Sequence, residues 1–348
     1  MSTVVVTGAA GELGSRVLAL VADDPSVDRL VAVDRREIAA PLPRTEVVCV
    51  DLNRADLPAV FAGADVVVHL ASNAVPPADD STGSDAHMAK CMLAAAVAAG
   101  VSHVVVRSSA TVYGARANNP VPLTEDAPLR PEQRFGWAGE RADIERLVAE
   151  WLVDRADTTA TLLRPTTTVG DNSTSWLAEA LRATALIRAG DQDDPPLQFL
   201  HIDDLAAATD IARVRRIDGA VNVAPDGWVP GDTVRALAGG GVRLRLPEPV
   251  ATRFAAWRWH RQLAPTPPGL VPYTQHPWVI SNDKLTAAGW KPEYTNEEAY
   301  VAGHRASPWA DLSPRRRQEL ALGVAGGAAL AAIGGTVAAL RRRSRQPR

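Results

Sequence analysis

The sequence predicts an α/β fold built on a doubly wound, parallel sheet, and three observations predict it. Short β-rich apolar runs alternate with helical patterns from the first residues, a glycine-rich turn joins the first run to the first helix, and an acidic residue ends the second run. A chain of 348 residues is long enough to bury a full α/β core and build a smaller region around it. Hydrophobic residues make up 46% and charged ones 22%, with no long polar low-complexity tract, which excludes a disordered protein.

The expected strands are 3–7, 30–33, 46–50, 65–70 and 104–107, separated by helical patterns at 13–22, 54–61 and 84–99. A helix at 139–153 and a strand at 161–163 continue the series, and strands joined by helices imply right-handed parallel crossovers. Beyond Arg164 the pattern loosens into Pro- and Gly-rich connections around shorter elements at 177–188, 203–214 and 233–238. Cys49 lies in a strand-like run and Cys91 in an Ala-rich helix, so both read as buried thiols in a reducing compartment rather than as a disulfide. No secretory signal precedes the first strand, so the body is expected to be cytoplasmic.

The first strand runs through Val4-Val5-Val6 into Thr7-Gly8-Ala9-Ala10-Gly11-Glu12-Leu13-Gly14, where a dinucleotide fingerprint has to sit to carry meaning. Gly8 permits the tight turn, Gly11 the approach of backbone to a pyrophosphate, and Gly14 the close packing of helix on strand. Asp34 follows 20 residues after Gly14, at the place of the carboxylate that binds the ribose hydroxyls of NAD. Its charge disfavours a 2′-phosphate, so NAD is expected ahead of NADP, although Arg35 and Arg36 adjoin it.

The Gly-x-x-Gly-x-x-Gly spacing after Thr7 resembles the extended short-chain dehydrogenase/reductase family, the NAD-dependent epimerase/dehydratase group, and the likeness runs over about residues 1–305. Asp51-Leu52 looks like the pair that meets the adenine ring, and Leu70-Ala71-Ser72 like the loop after the fourth strand. Ser108-Ser109-Ala110-Thr111-Val112-Tyr113-Gly114 resembles the family's serine segment, in which Ser109 takes the catalytic hydroxyl position. The resemblance thus implies a cofactor-binding set of Thr7, Gly8, Gly11, Glu12, Leu13, Gly14, Asp34, Arg35, Asp51, Leu52, Leu70, Ala71, Ser72 and Ser108. It also implies a Rossmann-type domain at 1–165, its sheet completed from 195–225, and a smaller α/β substrate-side region at 166–305. A nucleotide-sugar-like ligand and a homodimer are implied in the same way.

The family's acid/base pair, a Tyr with a Lys four residues on, is absent. Phe135 and Gly139 stand at those positions, and no Tyr or Lys lies between Gly114 and Trp151. A phenol titrates near pH 10 unless an ammonium lowers it, so the chemistry needs both partners. Glu140, Arg141, Tyr113 and His201 are the substitutes to consider, each with a structural role as the simpler reading. These residues point to an NAD-binding member with a degenerate active site, acting as a nucleotide-sensing or scaffold protein; the alternative is a divergent NAD-dependent oxidoreductase or epimerase acting on a nucleotide-sugar-like or other carbonyl substrate. No metal-ligand spacing and no hydrolase elbow is present, and Trp257-Arg258-Trp259-His260 reads as helix packing.

Residues 315–348 carry eight Arg against one Glu, which leaves about −10 on the rest of a chain whose net charge is −3 and speaks against a nucleic-acid surface. Within them 320–340 holds no charge, and Gly323, Gly327, Ala331, Gly335 and Ala339 form a small-residue ridge. This basic-flanked apolar helical tail is expected to attach the cytoplasmic body to the inner face of the membrane or to a protein partner.

Overall fold

The computed structural model describes residues 2–38, 42–53, 56–73, 84–171, 173–184, 187–189, 194–237, 244–246, 248–261 and 267–303. In chain order the first half comprises β1 (Ser2–Thr7), α1 (Glu12–Asp23), β2 (Val27–Asp34), β3 (Thr45–Cys49), α2 (Leu57–Val60), β4 (Val66–His69), α3 (Asp85–Ala99), β5 (His103–Arg107), α4 (Gly136–Leu152) and β6 (Thr159–Pro165). There follow β7 (Thr167–Gly170), β8 (Ser173–Thr174), α5 (Trp176–Thr184), β9 (Ile187–Ala189), β10 (Phe199–His201), α6 (Ile202–Arg215), β11 (Gly219–Val223), α7 (Gly231–Leu237), β12 (Leu244–Leu246), α8 (Glu248–His260), α9 (Asp283–Ala287) and α10 (Asn296–Gly303). The chain divides into two compact units, 1–234 with 242–304 and 235–241 with 305–348; of the second only 235–237 is described.

Seven parallel strands form the main sheet in the order β3-β2-β1-β4-β5-β6-β11. Alternation along each strand serves two cores. Val4 and Val6 of β1 pack with Val17, Leu18 and Val21 of α1 and Leu205 and Ala208 of α6, while Val5 packs on the opposite face with Met92 and Ala96 of α3 and Ile144 and Val148 of α4. Covered on both faces, the central strands read as continuous valine runs. Residues 219–223 supply the seventh strand, paired on β6. Beyond the sheet, Asp204 of α6 accepts from the backbone N–H of Glu293 at 2.7 Å and of Tyr294 at 3.2 Å, and Trp290 donates to Asp204 O at 3.2 Å, which fastens the 283–294 segment to α6.

Four expectations are corrected. The single element expected at 177–188 is two: helix α5 stops at Thr184, and Ile187–Ala189 pairs in parallel with Leu244–Leu246, a partner remote in sequence. The helix expected at 54–61 is the single turn Leu57–Val60, and residues 54 and 55 lie outside the described residues. Neither cysteine is buried: Cys49 is exposed on β3, the open edge of the sheet, and Cys91 is half-buried with Sγ 3.6 Å from His87 Nε2. On α8, Phe254 and Trp257 stack on each other at 5.7 Å with Trp257 50% exposed, so they cover one another instead of packing the helix inward. The tail at 315–348 lies outside the described residues, among which no helix is long and apolar enough to cross a membrane.

Candidate functional site

The strand order reverses at β1, and there the C-terminal ends of the strands open a cleft of about 420 Å³. Gly8, with φ +76°, and Gly14 build one end of it. A Cβ on Gly8 would stand 2.6 Å from Ala71 N, and one on Gly14 2.1 Å from Gly8 O, so neither the turn nor the start of α1 tolerates a side chain. Helix α1 begins after Gly11 with no side-chain cap, which leaves first-turn N–H groups and the positive end of the helix available to an anion. Glu12 and Leu13 line the same end.

Asp34 closes β2 and is 8% exposed; its Oδ2 accepts from Ala10 N at 3.0 Å and its Oδ1 from Arg36 N at 2.9 Å. The carboxylate thereby braces the glycine turn while it stands in the cleft wall beside Arg35 and Arg36. Asp51 and Leu52 after β3, and Leu70, Ala71 and Ser72 after β4, carry the wall onward, and Ser108 and Ser109 after β5 complete it. Thr7 alone of the expected set is not at the wall. It is buried in β1 with its hydroxyl 2.8 Å from His69 Nδ1, tying β1 to β4. Burial holds His69 down at about 4, so this pair is neutral.

Ser108 donates to Glu145 Oε1 at 2.5 Å, and Glu145 is clasped by Arg164, Nη2 to Oε2 at 2.6 Å; this serine is used structurally. Ser109 differs. Its Oγ accepts from Thr111 N at 3.2 Å and Thr111 Oγ1 at 3.0 Å, so its own proton is left to donate into the cleft.

The acid/base positions are filled otherwise. Phe135 is 1% exposed, with its ring 5.7 Å from Trp137, 6.2 Å from Trp176 and 5.7 Å from Tyr273, and it packs in a core cluster while Trp137 and Trp176 form the cleft wall. At Gly139 a Cβ would meet nothing within 4 Å. The substitutes are each engaged. Tyr113 donates to Asn222 Oδ1 at 2.7 Å, and burial pushes it up to about 12. Glu140 accepts from Ala86 N at 3.2 Å at the start of α3. Arg141 is ion-paired with Asp85, and the same Asp85 accepts from Ser72 Oγ at 2.6 Å and Asn73 N at 2.8 Å.

His201 is 0% exposed; its Nδ1 accepts from Asp203 N at 3.3 Å to cap α6, its Nε2 faces Asp171 Oδ1 at 3.4 Å, and its ring stacks on Tyr294. His201, Asp171 and Asp203 form the one group among the described residues whose ligand atoms approach within 4.8 Å, but the Nδ1 lone pair is committed to the cap, which places the ring proton on Nε2.

Sequence reasoning missed Arg107, Trp137 and Trp176, all of which line the cleft. Arg107 had a signal: a charge ending the run His103–Arg107 falls at the C-terminal strand end, where ligands bind in open α/β sheets. Burial, reinforced by the charge of Arg141 and opposed by Asp85, lowers Arg107 to about 10, so it is cationic at neutral pH. The two tryptophans had none, since no periodicity brings 137 and 176 together.

The NAD dependent epimerase/dehydratase family matches residues 4–224. The chain belongs to that family. It is 27% identical over 328 residues to uncharacterised protein Rv0501 of Mycobacterium tuberculosis, covering 88% of this chain and 85% of that one. A UDP-glucose 4-epimerase of Azospirillum brasilense is 34% identical over 145 residues, 38% of this chain and 40% of that one. Among solved structures, the UDP-glucose 4-epimerase of Thermus thermophilus in complex with NAD has a TM-score of 0.62 at 18% identity, over 86% of this chain and 97% of that one, a likeness of fold.

Proposed function

We propose that this family member binds NAD in the cleft at the C-terminal ends of β1, β2, β4 and β5, and works as a nucleotide-sensing or scaffold protein without the family's proton chemistry. Support for the cofactor comes from the uncapped α1, the glycine turn and Asp34, and from relatives solved with NAD. When bound, NAD supplies a hydride acceptor. The residues of this chain would bind and orient it: Gly8, Gly11 and Gly14 at the diphosphate, Asp34 at the ribose, and Ser109 as a donor beside the nicotinamide end.

The observation that carries the reading is Phe135, whose ring is packed among Trp137, Trp176 and Tyr273 where the acid/base phenol would stand. Ser109, which keeps a free hydroxyl proton, favours the second reading, a divergent oxidoreductase or epimerase in which the substrate or water moves the proton. The test is to identify nucleotide retained by the purified protein and follow its redox state with UDP-glucose, UDP-glucuronic acid and UDP-N-acetylglucosamine. Retained NAD that stays oxidised is the expected result. Formation of NADH, or of an epimer, selects the second reading, and failure to bind NAD overturns both.

A further inference from the structure

Among the described residues, the far wall of the cleft carries more positive charge than is neutralised. Arg107 ends a strand whose preceding residues, Val104 to Val106, are 0% exposed, and it lines the cleft. Among the described residues it has no hydrogen-bond or ion-pair partner. Asp85 is the carboxylate whose charge acts on it, and that group is consumed by Arg141, Ser72 and Asn73. Arg141 Nε is itself buried without an acceptor. Among the described residues the charges of Arg107 and Arg141 thus face one carboxylate, which is ion-paired with Arg141 alone, an arrangement that costs stability unless a further anion completes it.

The neighbours repeat this bias towards donors. Ser108 has its hydroxyl committed to Glu145, while Ser109 keeps its proton free, so Arg107 and Ser109 together offer only donors. The dinucleotide's diphosphate is not the natural partner: it is provided for at the glycine turn on β1, and β5 lies two strands away, about 10 Å at the usual strand spacing. Beside the cation stand Trp137 and Trp176, ring centroids 6.2 Å apart and tilted by 52°, an apolar surface for a carbon skeleton.

We propose that Arg107 is an oxyanion-binding residue that receives the carboxylate or phosphate group of a second, organic ligand lying beside the dinucleotide, with Trp137 and Trp176 against its carbon body. The inference rests on the cleft being the dinucleotide site of the proposed function. A planar guanidinium suits either oxyanion through paired N–H donors, and lysine would not reproduce that geometry.

The test uses the full chain saturated with NAD, and inorganic phosphate as the probe, titrated against chloride at constant ionic strength. Thermal midpoint and tryptophan fluorescence are read in wild type, Arg107→Met and Arg107→Lys. Wild type should show saturable stabilisation by phosphate. Arg107→Met should weaken that apparent affinity at least about tenfold, with Arg107→Lys between the two. In chloride, Arg107→Met should melt no lower than wild type, because an uncompensated charge has been removed, and its NAD affinity should change by less than about twofold. Equal phosphate titrations in wild type and Arg107→Met would overturn the proposal. So would a parallel loss of NAD affinity, which would assign the guanidinium to the dinucleotide, and so would a lower midpoint in chloride. If NAD does not bind at all, the dinucleotide reading fails, and the same titration on cofactor-free protein still decides whether Arg107 binds an oxyanion.

Discussion

Restoring a phenol at position 135 separates two accounts of why the acid/base residue is missing. If only one oxygen atom had been removed from an otherwise intact site, Phe135→Tyr would place a hydroxyl in the cleft at no cost to stability. The structure predicts otherwise. The Phe135 ring is 1% exposed and enclosed by Trp137, Trp176 and Tyr273, and the Tyr273 hydroxyl is already committed to Thr111 O at 2.7 Å. A hydroxyl inserted there without a partner costs about 1–3 kcal/mol, which for a protein of this size lowers the melting midpoint by roughly 1–4 °C. The assay is urea and thermal denaturation of Phe135→Tyr, followed by NADH formation in the double variant Phe135→Tyr/Gly139→Lys offered the three nucleotide sugars. Expected are a destabilised single variant and a double variant that forms no NADH. A Phe135→Tyr protein as stable as wild type, whose double variant reduces NAD, would refute the reasoning and show that the para position of the ring opens to the cleft.

Other perturbations follow from the same geometry. Gly139→Ala should stabilise the protein by up to about 1 kcal/mol, measured by urea denaturation, since the new Cβ meets nothing within 4 Å and a helix interior disfavours glycine. Asp34→Asn should weaken NAD binding about tenfold by calorimetry and bring NADP nearer to parity, because Arg35 and Arg36 adjoin the position and the repelling charge is gone. Glu12→Gln should tighten NAD roughly two- to fivefold at low ionic strength by removing a carboxylate that lines the phosphate end of the cleft, and the gain should fade with salt. Stability should also fall in mild acid. His69 and His103 are both held at about 4, chiefly by burial, against an ordinary value of 6.5, so the unfolded chain takes up their protons first. Their contribution is complete above pH 6.5 and is lost as pH falls towards 4, by about 2 kcal/mol each at pH 5. Urea midpoints at pH 7 and pH 5 check this, and an unaltered pH dependence in His103→Gln would contradict it.

What was legible in the sequence follows the range over which each feature is determined. Valine runs, helical patterns and the spacing of Gly8, Gly11, Gly14 and Asp34 are properties of short segments, and the parallel, doubly wound sheet and the near end of the cleft follow from them. The strand Ile187–Ala189 was not legible, because its partner Leu244–Leu246 is remote in sequence. The exposed Cys49 shows the same limit, since an apolar run does not reveal that its strand will form an edge.

The reactive end of the cleft depends almost wholly on such distant meetings. The absence of Tyr and Lys can be read from positions 135 and 139, but not that Phe135 leaves the wall to Trp137 and Trp176 and packs against Tyr273. Nor does Arg107 look unusual in sequence. Among the described residues its charge is left unmatched, because Arg141, 56 residues from Asp85, reaches that carboxylate through the packing of α4 on α3. An unpaired cation in a protein wall is therefore a better guide to this chain's ligand than the motif it lacks: the missing dyad says which chemistry is absent, whereas Arg107 says what charge the occupant has to bring.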